Sequence, residues 1–226
     1  MKTLVAVMAC CVASTAMAQA PKADMTGIWR RVGYTPGVTV DGGGTPRLQA
    51  DAAKQYAANR AAAARGDFTH DTTRICLPDG IPRLMLKAQP FEILQRPTLV
   101  AFNYQINRLP RVVYLDAKPP VENGGYYLGE STGKWEGDTL VIDTRGFNTD
   151  TLIDDAGLPH SEDMTVTERL KLSADGKKLV NKITVVDPAV FKTPWTTTVT
   201  YARQSTPIVE DVCAERIGSS KPKRKR

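Results

Sequence analysis

From Phe91 onward the chain breaks into short β-rich runs with no helical crossover between them, and this pattern constrains the fold more than any other feature. The runs are 91–95, 98–105, 111–115, 126–135, 139–145, 163–172, 178–187 and 195–203. Glu136-Gly137-Asp138 and Ala174-Asp175-Gly176 have the chemistry of tight hairpin turns, and Pro119-Pro120 and Pro194 punctuate the rest. A further run, Thr26 to Val32, precedes a Gly-rich loop from Gly33 to Gly44. Strands at this spacing suit an antiparallel sandwich or barrel, and consecutive hairpins neither need nor permit a parallel sheet. The expected fold is mainly β: a closed antiparallel meander barrel.

One helix is expected ahead of most of the strands. Thr45 is placed to cap it, Pro46 suits its first turn, and the Ala-rich run from Gln49 to Arg65 stops at Gly66. Its apolar face is thin, with Leu48, Tyr56 and alanines, which fits a helix packed at an end or side of the barrel.

Residues 1–18 open with Lys2, run apolar from Leu4 to Val12 and reach Ala16-Met17-Ala18, the small-x-small pattern of a signal-peptide cleavage site. Cleavage is expected before Gln19, with lipidation at Cys10 as the alternative. No later stretch reaches the ~18 apolar residues of a membrane span. The mature chain is therefore expected to be periplasmic or secreted, with a single barrel domain over 19–218 and a disordered basic tail at 219–226. Lys2 and the tail supply the whole formal charge of +6, so the body is neutral and argues against nucleic acid as a partner. Once Cys10 and Cys11 leave, Cys76 and Cys213 are the remaining pair, and in an oxidising compartment a disulfide between them is expected. Free thiols are the alternative. A metal site lacks any CxxC or CxxxH neighbourhood.

Candidate chemistry comes from polar residues on apolar faces. In 163–172, Met164, Val166, Glu168, Leu170 and Leu172 share one face, so Glu168 is expected to point inward. Burying that charge costs several kcal/mol unless it is paired, hydrogen-bonded or protonated, which marks function or a buried ion pair. Alternation over 195–203 places Arg203 with Trp195 and Tyr201, making Arg203 a candidate partner. Glu130 is a second candidate inward carboxylate. Asn103, Tyr104, Tyr127, Trp135, Asp143 and Trp195 are candidate cavity or binding residues, although which face of 98–105 and 126–135 is inward stays open.

His160 closes the loop Gly157-Leu158-Pro159-His160-Ser161 that feeds the Glu168 strand, where a titratable group can meet a ligand at a barrel mouth. The alternative for it is a structural hydrogen bond, and His70 reads as a surface residue. The acidic loop 147–163, with Asp150, Asp154 and Asp155 among its carboxylates, has no EF-hand spacing and reads as solvated. No phosphate loop in a βαβ frame and no GxSxG elbow is present, so no cofactor and no metal are expected.

Trp135-Glu136-Gly137-Asp138-Thr139-Leu140-Val141-Ile142-Asp143-Thr144 through Gly146-Phe147-Asn148, together with Gly157-Leu158-Pro159-His160-Ser161 and Val166-Thr167-Glu168-Arg169, resembles a large group of exported bacterial proteins of unknown function. The likeness extends to Cys76-Leu77-Pro78 and Pro90-Phe91-Glu92-Ile93, and implies export without implying an activity. Gly27-Ile28-Trp29 also resembles the first-strand Gly-x-Trp of lipocalins, which implies a late Arg packed on the Trp, here Arg203.

Three functions compete. The first is a cofactor-independent acid–base enzyme performing elimination, isomerisation or hydrolysis on a small hydrophobic or aromatic molecule, with His160 and Glu168 moving protons. The second is a lipocalin-like carrier that holds such a ligand unchanged, and the third an interaction module working through the basic tail. Oligomeric state is not readable.

Overall fold

Strand order follows sequence order around a closed barrel. The strands are β1 (Gly27–Arg31), β2 (Phe91–Gln95), β3 (Leu99–Tyr104), β4 (Pro110–Leu115), β5 (Glu130–Glu136), β6 (Thr139–Arg145), β7 (Thr165–Leu172), β8 (Lys178–Val186) and β9 (Trp195–Gln204), with β9 pairing back onto β1. The structure is a computed structural model and describes residues 23–116 and 124–216. The expected leader at 1–18, Pro119-Pro120 and the expected tail at 219–226 lie outside these described residues.

The barrel is lipocalin-like, with one departure from a pure meander. β4 and β5 run parallel, joined by only three residue pairs from Val113↔Ser131 to Leu115↔Gly133. Two neighbouring strands therefore point the same way, and ahead of β5 Tyr126 bridges to Phe147. β5 is also shorter than the run 126–135, because Tyr126 forms only an isolated bridge to Phe147.

Alternation sets what fills the barrel. Val100, Phe102 and Tyr104 of β3 are buried, as are Leu140, Ile142 and Thr144 of β6 and Val166, Glu168 and Leu170 of β7. Phe91 meets Tyr201 edge-on at 4.9 Å and Tyr104 at 5.6 Å. At one end, Arg203 lies 4.3 Å over the ring of the fully buried Trp29 and donates to the carbonyls of Thr26 and Gly176. Gly27 leaves room for it, since a Cβ there would sit 2.4 Å from the guanidinium.

The Ala-rich helix α1 (Ala50–Ala64) lies on the barrel's flank. Asn59 on it donates to the carbonyl of Gly157, and Leu48 just before it bridges to Phe191. Thr45 and Pro46 lie too far upstream to start it: the N-cap is Gln49, with no side-chain cap. Its end at Gly66 does follow the sequence pattern, with Gly66 in the left-handed region at φ +79.

Between α1 and β2 the chain forms a plug. Gly80 (φ +81) turns it past Thr151, whose side chain stands 2.7 Å from where a Cβ would be. The short helix α2 (Arg83–Leu86) then buries all four of its residues. Met85 reaches the barrel interior, where Tyr104 donates to its sulfur and the Tyr201 hydroxyl to its carbonyl at 2.9 Å.

Cys76, just before the plug, is bonded to Cys213 in the terminal helix α3 (Cys213–Arg216), across 137 residues of sequence. Such a bond stabilises chiefly by restricting the unfolded chain, and more for long loops. Cys76→Ser/Cys213→Ser is expected to lose about 2–5 kcal/mol of unfolding free energy. Urea denaturation of the oxidised wild type against the variant reads this directly, and coincident midpoints would contradict it.

Candidate functional site

A buried ion pair crosses the barrel interior. Glu168 is 0% exposed and its Oε2 accepts from Arg111 Nη2 at 2.5 Å, so the inward carboxylate does have an arginine partner. That partner is Arg111 of β4 rather than Arg203, which is held at the far end over Trp29. Asn181 of β8 donates to Oε1 at 2.9 Å. Arg111 also donates to Ser131 at 3.0 Å and Thr144 at 2.8 Å, and those two hydroxyls are 2.9 Å apart. Burial disfavours the charged guanidinium, but the Glu168 carboxylate outweighs it and leaves the Arg111 pKa raised. The Tyr104 and Tyr201 phenols are pushed upward by burial and stay protonated donors.

His160 is not part of this network. It is 7% exposed and donates from Nδ1 to the Ser161 carbonyl at 2.9 Å, because a carbonyl can only accept. Nε2 is then an acceptor, 2.6 Å from the Thr151 hydroxyl. Every polar atom of the ring is committed to the loop's own structure. No hydrogen bond or ion pair joins His160 to Glu168 among the described residues.

The acidic loop is less solvated than its composition suggests. Asp154 is 2% exposed and accepts from the N–H groups of Val38, Ala156 and Leu158, although burial still pushes its pKa up. Asp155 binds Arg83 Nε at 2.7 Å, Lys87 Nζ at 2.5 Å and the Tyr34 hydroxyl at 2.7 Å. Asp71 takes both remaining guanidinium nitrogens of Arg83, at 2.9 and 2.7 Å. Burial raises the Asp71 pKa, yet Arg83 and the Thr73 N–H hold it well below the usual carboxylate range. Lys87 also meets Asp79 at 2.8 Å as an ionic contact without hydrogen-bond alignment, so neither Asp79 oxygen has a hydrogen-bond partner. These carboxylates latch both ends of α2. They surround cations, and no group of three His, Cys, Asp or Glu side chains suited to a metal occurs among the described residues. Half-buried His70 lines a 330 Å³ hollow beside this latch, its Nδ1 buried and unpartnered, rather than standing on open surface.

The remaining candidate residues are spread over the barrel. Trp135 lines a 560 Å³ hollow at one barrel end with Asp24, Gln95 and Arg96, its indole N–H unpartnered. Asn103 points outward and donates to Glu92 at 3.4 Å, while Tyr104 on the next position points inward. Asp143 is exposed and accepts from Thr167 at 2.7 Å. Trp195 is buried edge-on against Phe191, 5.5 Å between centroids. Glu130 does not point inward: alternation on β5 buries Ser131 and turns Glu130 outward with Thr132.

Tyr127 and Glu130 are brought together, outside the barrel. They line a 400 Å³ groove along the β4–β5 seam with Leu109, Val112, Tyr114 and Tyr126. The seam opens there because the parallel pairing starts only at Val113 and Ser131, leaving the strands to diverge before it. Val112, Tyr114 and Tyr126 are 37%, 41% and 49% exposed, an apolar cluster on a face that is ordinarily polar. Glu130 lines the groove while one of its oxygens is buried with no hydrogen-bond partner, and burial raises the pKa of the carboxyl.

Neither the protein-family models nor the curated proteins contain a match to this chain. No helix among the described residues is long and apolar enough to cross a membrane.

Two stability measurements follow. Removing one member of a buried ion pair leaves an uncompensated charge, so Arg111→Met is expected to cost about 3–5 kcal/mol, while Arg111→Met/Glu168→Leu recovers most of the loss. Equal losses in urea denaturation would contradict the pairing. For His160, burial depresses the folded pKa below the unfolded value near 6.5, so its contribution is complete above that pH. As pH falls below about 6.5 the unfolded chain takes the proton first and stability drops; His160→Gln should flatten this interval of the pH–stability curve.

Proposed function

We propose that this chain is an exported, non-catalytic barrel that carries a small hydrophobic or aromatic molecule in the groove along the β4–β5 seam. The observation that carries the reading is the contrast between the two faces of the seam. Inside, Glu168 and its neighbours spend their hydrogen bonds on one another around a plugged, aromatic-filled core. Outside, three tyrosines and aliphatic side chains line an open 400 Å³ hollow, within the size range of small-molecule sites.

Acid–base catalysis needs a titratable group within reach of a substrate proton. Glu168 has no exposure and a guanidinium on it, and His160 is committed on both nitrogens, so the carrier reading takes precedence over the enzyme. Export is supported by the leader-like residues 1–18, by the likeness to exported bacterial proteins and by the Cys76–Cys213 bond, since disulfides persist in oxidising compartments.

Fluorescence titration with N-phenyl-1-naphthylamine, a neutral aromatic probe, tests the site. Tyr126→Ala/Tyr127→Ala is expected to weaken binding at least tenfold, about 1.4 kcal/mol, with Trp135→Phe at the far hollow within twofold of wild type. Loss of binding in Trp135→Phe but not in the tyrosine variant would move the site away from the seam.

A further inference from the structure

We infer that the seam groove selects an organic cation: an aromatic or aliphatic amine whose ammonium meets Glu130 while its apolar body lies against Tyr114, Tyr126 and Tyr127. This rests on the groove being the binding site and names the chemistry of its occupant.

The argument starts from the imbalance of charge. Among the described residues Glu130 is the one carboxylic acid lining the groove, and no described Lys, Arg or His lines it. A carboxylate oxygen taken out of water without a partner is costly, and proteins ordinarily offset it with a buried cation, as Arg111 does for Glu168 inside the same barrel. On the strand register Glu130 stands opposite Arg145 of β6, the natural protein partner. No ion pair joins these two side chains among the described residues, and Arg145 is exposed. Among the described residues no protein cation sits on the Glu130 carboxylate that lines the groove, and an ammonium brought by a ligand would supply that charge.

The tyrosines point to the same class. Aromatic faces carry negative potential and attract ammonium groups, more strongly where water is excluded, and an amine adjoining a carboxylate adds a charge-assisted hydrogen bond. Fatty acids and aryl carboxylates would instead bring a second negative charge to Glu130. A neutral aromatic would gain the walls and leave the carboxylate oxygen unpaired. The position also raises the carboxyl pKa by burial, and an ammonium at that point reverses the effect by favouring the charged form.

Calorimetric titration of the full-length protein with 2-phenylethylamine, and separately with the neutral near-isostere 2-phenylethanol, tests the inference at pH 7.5 and moderate salt. The amine is expected to bind at least tenfold more tightly than the alcohol. Glu130→Gln should abolish that preference while leaving alcohol affinity within twofold, and Tyr126→Ala/Tyr127→Ala should weaken both. Equal affinity of amine and alcohol for the wild type, or an amine preference that survives Glu130→Gln, overturns the cation assignment and leaves the groove as a site for neutral ligands. Failure of both compounds to bind, together with no tyrosine-dependent binding of the neutral probe, removes the groove reading itself.

Discussion

A carboxylate held at zero exposure inside a barrel is costly unless a cation is buried with it, and the Arg111–Glu168 pair meets that requirement. The pair fixes more than charge. Arg111 must face inward, which sets the register of β4 and turns Val112 and Tyr114 out. Its Nε draws in Ser131 of β5, and the Nη2 that binds Glu168 also draws in Thr144 of β6, so the short parallel seam is held from within by side chains as well as by its three backbone pairs. Asn181 carries the network on to β8.

The plug completes this interior. Met85 supplies a thioether and a carbonyl to hydroxyls that would otherwise face a void, and both are acceptors that the tyrosine donors need. Arg83 and Lys87 flank it, held by Asp71, Asp79 and Asp155. With the interior occupied in this way, the apolar hollow of the seam lies on the outside of the barrel, where the strands diverge.

Much of the fold was legible because alternation and turn chemistry act locally. The boundaries of β2 and β6 follow the apolar runs closely, and the inward face of β7 could be read because Glu168 is flanked by unambiguous core residues. β4 defeated the same reasoning. In Arg111-Val112-Val113-Tyr114-Leu115 both faces are apolar apart from the arginine, so alternation gives no preference there and instead offers Arg203 as the partner. The disguise and the groove have one origin, since Val112 and Tyr114 are apolar where a solvated strand face would be polar. The outward turn of Glu130 is hidden for a related reason: Tyr126 and Tyr127 extend the apolar run 126–135 ahead of the strand, which starts only at Glu130. The plug and its latch were not readable, because they depend on Asp71, Asp79 and Asp155 meeting Arg83 and Lys87 across 72 residues or fewer of chain with no local signature.

The link between Cys76 and Cys213 closes most of the barrel strands into a covalent ring. A single backbone cut in any loop from the plug to the segment after β9 therefore opens the ring without separating its pieces. Such a nicked chain keeps every strand tethered to its neighbours, and it falls into two fragments only when the bond is reduced.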